Sequence, residues 1–170
     1  MGIYDFNDIS DYFPIVTAAM ITDMLVILLL KKGAIKSKTL EKWYSAYGFS
    51  AGLADVLSIV IGIIVARFLY FKIFTRENLL YFIGLTVLVQ LVHDVLFYFL
   101  FSSIPRGVSQ IMDSFKDYAK ENGATVLIAD SLMMISTILL ATYFTSFNVN
   151  SNIILFIVAL YLIVYFIYSV

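Results

Sequence analysis

Five stretches of nearly unbroken Ile, Leu, Val, Phe, Met and Tyr run along the chain, and most charged residues collect in the short segments between them. A helix needs about 20 apolar residues to cross the roughly 30 Å of a bilayer's hydrocarbon core. Spans are predicted on that basis at about 14–30, 44–70, 78–103, 123–144 and 152–170. Their ends carry helix punctuation. Pro14 suits a first turn, where its missing N–H is not needed, and Lys31 and Lys32 mark an exit. Thr75 with Glu77 predicts the N-cap of the third span, and Pro105 forbids its extension. At about 107–122 the pattern becomes periodic. Val108, Ile111, Met112, Phe115 and Tyr118 alternate there with Asp113, Lys116, Asp117, Lys120 and Glu121, which predicts an amphipathic helix on the membrane interface. Its charge is mixed, so it reads as a connector on the bundle floor, since a lipid-sensing helix would be mainly basic. The fold class is all-α: a polytopic helix bundle forming one transmembrane domain over residues 1–170.

Four of the apolar stretches break their pattern with one aspartate each, in similar surroundings: Thr22-Asp23-Met24-Leu25, Ala54-Asp55-Val56-Leu57, His93-Asp94-Val95-Leu96 and Ala129-Asp130-Ser131-Leu132. Measured from Leu30, Ala46, Ser103 and Gly123 at one membrane boundary, all four lie about 10–14 Å deep at 1.5 Å per residue. A carboxylate in hydrocarbon costs roughly 2.5–3.5 kcal/mol on insertion scales, so each needs a partner, water or a bound ion. In the second span Gly48, Ala51, Asp55, Ser58 and Gly62 form a small-residue stripe. Thr86, Gln90, His93 and Asp94 line one face of the third, and Asp130, Thr137 and Ala141 one face of the fourth. These four spans are expected to pack with their carboxyls converging, with the fifth outside and Tyr161, Tyr165 and Tyr168 along its side. The order of the aspartates also suggests a tandem repeat of two spans, related by an axis along the membrane normal.

Composition removes several function classes. The chain is 62% hydrophobic and 14% charged, against about 45–50% and about 25% in soluble domains, and its mean hydropathy is +0.95. A net charge of −1 argues against nucleic-acid binding. Without cysteine there is no disulfide or thiolate metal site, and one histidine excludes a multi-histidine haem or zinc site. The first residues are acidic where a cleavable signal would be basic, so the first span is expected to direct insertion. Basic residues cluster at Lys31, Lys32, Lys36, Lys38 and Lys42 and again at Arg106, Lys116 and Lys120. The other side has Lys72 and Arg76, with Arg67 expected to snorkel toward them. The positive-inside rule then places the N-terminus outside or in a lumen and the C-terminus in the cytoplasm.

The candidate chemistry is that of Asp23, Asp55, Asp94 and Asp130 with His93, supported by Thr22, Gln90, Ser58 and Ser131. Crowded carboxyls either share protons in a hydrogen-bonded lock or hold a hard cation through oxygen, with His93 tuning or ligating. Packing alone is the commoner use of such residues. Adjacent helical side chains diverge by about 100°, which counts against a His93–Asp94 pair. No metalloprotease, Walker-loop or serine-hydrolase motif is present, so no enzyme is expected, and no cofactor beyond a bound cation or proton.

Several blocks carry a resemblance: residues 1–14 from Met1-Gly2-Ile3-Tyr4 to Pro14, Val92-His93-Asp94-Val95-Leu96-Phe97-Tyr98, Ser102-Ser103-Ile104-Pro105-Arg106-Gly107, residues 115–120 and residues 129–136. These resemble an uncharacterised integral membrane protein family of large nucleocytoplasmic DNA viruses of algae and protists. The resemblance implies a non-enzymatic viral protein in a viral or host membrane. A structural component of the internal virion membrane is the first expectation, and a cation or proton conduit built on the four aspartates is the alternative. The implied partners are the lipid bilayer, further copies of the chain and other viral membrane or capsid proteins.

Overall fold

A computed structural model describes residues 2–168. It is all-helical among these residues: a short 3-10 turn at Ile9–Asp11 leads into α1 (Tyr12–Lys31), α2 (Lys38–Tyr47), α3 (Phe49–Ile73), α4 (Leu79–Ser103), α5 (Gln110–Asn122), α6 (Thr125–Phe144) and α7 (Val149–Tyr168). Five helices are long and apolar enough to cross a membrane: α1 with its preceding turn, α3, α4, α6 and α7. Residues 169–170, included in the fifth predicted span, lie outside the described residues.

The predicted second span is corrected at its start. Residues 44–47 belong to α2, a separate amphipathic helix that begins at Ser37, whose hydroxyl accepts from the Leu40 N–H, and ends at Gly48. Gly48 has φ 52° and ψ −129°, a region open essentially only to glycine, so the chain turns there and restarts as α3. The same construction recurs in the second half. Ser109 caps α5 through the Met112 N–H, and Gly123, with φ 55° and ψ −137°, turns the chain into α6. Each half is therefore span, amphipathic helix, glycine turn, span. Asp55 and Asp130 stand the same number of residues past their turning glycines. The expected Thr75 cap is also corrected: Asn78 caps α4, its side chain accepting from the Leu80 and Tyr81 N–H groups.

Packing follows the repeat. α1 lies against α3 and α6, and α4 closes the ring against the same two helices, the neighbour relations a twofold axis along the bundle would produce. α7 stands outside this ring, mainly against α1. α2 and α5 pack on each other across one end. There Glu121 of α5 accepts from the Lys38 and Thr39 N–H groups of α2, each at 2.8 Å, and from the Thr39 hydroxyl. A carboxylate facing the open N–H groups of a helix start is favourable. Those bonds hold Glu121 below the ordinary carboxylate range.

The opposite end is closed by the N-terminal segment. Arg67 of α3 does not snorkel outward; its side chain is 0% exposed. The guanidinium Nη2 donates to the Asp8 carbonyl at 2.8 Å, to the Asp11 carboxylate at 3.0 Å and to the Asp5 carbonyl, and it lies over the Tyr12 ring. The chain folds back because a buried guanidinium needs acceptors, and residues 5–11 supply them to Nη2, while Nε and Nη1 have none among the described residues. Tyr4 pins the same segment by donating to Glu77 at 2.8 Å.

Arg67→Met leaves the Asp11 carboxyl buried without its partner, and loss of such a pair costs about 3–5 kcal/mol. The expected result is a lower apparent melting temperature and protease cleavage within residues 2–11. Alanine at Gly48 or Gly123 forces a strained backbone at about 1–3 kcal/mol. At Gly48 the added Cβ would also lie 2.5 Å from the Tyr168 hydroxyl, whereas at Gly123 it meets open space. Thermal melting of both variants should place Gly48→Ala below Gly123→Ala.

Candidate functional site

Close helix approach puts the first two carboxyls together. Ala51 of α3 is 0% exposed, and a Cβ at Gly52 would lie 2.8 Å from Ile167 Cδ1 and 3.4 Å from Asp23 Oδ2. Only a small residue leaves that space. Asp23 is fully buried, and the Tyr44 hydroxyl of α2 lies 2.9 Å from its Oδ1 and 2.9 Å from the Oδ2 of Asp55. The Trp43 indole N–H also donates to Asp55 Oδ2, at 3.1 Å. Burial, and then the carboxyls of Asp55 and Asp23, push the Tyr44 phenol well above its ordinary range, so it keeps its proton. A phenol has a single proton to give. Both contacts are hydrogen bonds only when one carboxyl of the pair carries a proton and donates it to the phenol oxygen. Asp23 Oδ2 has no hydrogen-bond partner.

The other two aspartates are arranged differently. Asp94 Oδ1 accepts from the Gln90 side-chain amide at 2.6 Å and lies 3.2 Å from His93 Nδ1, while its Oδ2 is buried without a partner. The His93 ring has turned back to meet its neighbour, correcting the expected divergence, and it stacks on Phe97 with ring centres 5.7 Å apart. Asp130 makes no hydrogen bond among the described residues. Asp55, Asp94 and Asp130 all line one cavity of about 1040 Å³ that is roofed by α2 and α5. Its wall is largely aliphatic and aromatic, including Trp43, Tyr47, Phe97, Phe115 and Tyr118, and contains no Lys or Arg among the described residues. Tyr118 of α5 faces this group: burial, then Asp130 and Asp55, drive its phenol upward.

Of the supporting residues, Gln90 bonds an aspartate and Thr22 bonds the Thr137 hydroxyl of α6 at 3.1 Å, tying α1 to α6. Ser58 and Ser131 donate to carbonyls of their own helices, Asp55 O and Leu127 O. They do not bond the carboxyls. Among the described residues no three His, Cys, Asp or Glu side chains gather as a metal site. The four carboxyls form one bridged pair and two separate cavity-facing groups, not a single coordination sphere. Trp43, Tyr44 and Tyr118 were not anticipated as site residues. For Trp43 and Tyr44 the signal was present as the three- and four-residue spacing of Leu40, Trp43, Tyr44 and Tyr47 before a glycine, the mark of an amphipathic helix separate from the span; Tyr118 stood on the apolar face of the predicted 107–122 helix.

Tyr44→Phe removes the shared hydroxyl and strands buried carboxyl oxygens, a loss of about 1–3 kcal/mol. Tyr47 makes no such bond among the described residues, so melting curves should show Tyr44→Phe clearly destabilised and Tyr47→Phe near the parent. No family model matches the chain, and neither the curated proteins nor the solved structures searched yielded a match.

Proposed function

We propose that this multi-pass membrane protein is a non-enzymatic conduit that handles a cation or protons at its carboxyl-lined cavity. The observation that carries the reading is the convergence of Asp55, Asp94 and Asp130 on one cavity, with Asp23 joined to it through Tyr44. A bundle that used aspartate for packing alone would give each carboxyl its own local donors. Among the described residues Asp130 has none, and one oxygen of Asp94 is left over. The acidic wall concentrates positive charge, and the Asp23–Tyr44–Asp55 bridge supplies a place where one proton is held or released. The end bearing α2 and α5 is assigned to the cytoplasm, because the basic residues of both loops lie there.

The second reading is a structural component of an internal virion membrane, drawn from the resemblance to viral membrane proteins. It is favoured by the outer face of α7, where Tyr161 and Tyr165 are 62% and 55% exposed, with their hydroxyls 2.8 Å apart. Such a face suits lateral contact with another copy or another viral membrane protein.

Purified protein in liposomes loaded with pH- and cation-sensitive dyes separates the two. Under an imposed diffusion potential the parent should change the dye signal faster than empty liposomes, and Asp55→Asn or Asp130→Asn should return it to the empty-liposome rate. A parent indistinguishable from empty liposomes would leave the structural reading.

A further inference from the structure

The cavity's size and wall narrow what it can hold. A hard inorganic cation wants about 6–8 oxygen ligands at about 2.3–2.6 Å, and no such group of side chains is assembled among the described residues. A volume of about 1040 Å³ is instead that of a site for an organic molecule. Its wall offers hydrocarbon, the faces of Trp43, Phe97, Phe115 and Tyr118, and three carboxyls. Aromatic faces and carboxylates both attract an organic cation. Two polar groups are unspent among the described residues: Asp130, which lines the cavity, makes no hydrogen bond, and Asp94 Oδ2 is buried with no donor. An anion or a phosphate-bearing head would meet these carboxyls with no Lys or Arg to receive it. Two further lining residues, Phe99 and Leu132, are 65% and 58% exposed, so the cavity opens on the apolar flank of the bundle. A ligand arriving there comes from the hydrocarbon and needs an apolar body.

We infer that the cavity binds a hydrophobic organic monocation, an ammonium-type head on an apolar body, with Asp94 and Asp130 as its charge partners. This deepens the reading of the cavity as a cation site, and it does not require that the ligand be transported.

The test uses the whole chain in lipid nanodiscs and two probes of nearly the same shape and opposite charge. Tetraphenylphosphonium should bind saturably, about tenfold or more tighter than tetraphenylborate, a margin that one favourable charge contact supplies. That selectivity belongs to the parent and does not depend on any variant folding. Asp94→Asn and Asp130→Asn, near-isosteric changes, should each weaken phosphonium binding about tenfold while leaving borate unchanged. Dodecyltrimethylammonium should displace the phosphonium, and dodecylphosphocholine, which carries the same quaternary nitrogen behind a phosphate, should not. Equal binding of the two tetraphenyl ions, or equal displacement by the phosphocholine, overturns the inference; the latter outcome would mark a lipid headgroup as occupant. Selective binding without liposome flux retains this inference and removes the conduit, and flux without selective binding does the reverse.

Discussion

A carboxyl group taken out of water needs donors, and in hydrocarbon it must find them within the protein. For Asp23 and Asp55 they come from outside the spans: Trp43 and Tyr44 of α2 reach in from the end of the bundle. Asp94 takes the Gln90 amide of its own helix, and Asp130, faced by Tyr118 of α5, has no donor among the described residues. This requirement explains why α2 presses onto the bundle end. It also explains why the turn into α3 is a glycine, since α2 must reverse sharply to lie over the carboxyls it serves.

The five spans were legible because length and hydrophobicity alone define them. The four aspartates were legible because each interrupts an otherwise apolar run. α2 was not, because Trp43, Tyr44 and Tyr47 are apolar enough to extend the hydropathy of α3 backward, and aromatic residues at a span's edge also read as an interfacial belt. The opposite polarity of its exposed face, with Lys38, Glu41 and Lys42, was the better guide. Arg67 was misjudged for a different reason. Snorkelling is the default of a lone arginine near a span's end, and nothing local in sequence announces that the carbonyls of Asp5 and Asp8 will fold back to meet it. The His93–Asp94 contact shows the same limit, since helical geometry fixes where Cβ points but not how a long side chain bends.

The two halves are alike without being equivalent. Asp23 is sealed between α1 and α3 near Ile163 and Ile167 of α7, while Asp94, its counterpart in the second half, borders the open cavity. The asymmetry originates in α7, which covers α1 and has no equivalent over α4. One half thus keeps its carboxyl enclosed and proton-shared, and the other presents its carboxyl to the cavity.

Glu121 lies in the second half of the chain yet completes the first turn of α2 in the first. The two interfacial helices are thereby latched end to end, and α2 carries Tyr44 on its buried face. Tyr44 and Asp55 themselves line the large chamber, so the hydroxyl set between Asp23 and Asp55 stands at its edge, on a helix whose first turn is completed from the other half of the chain.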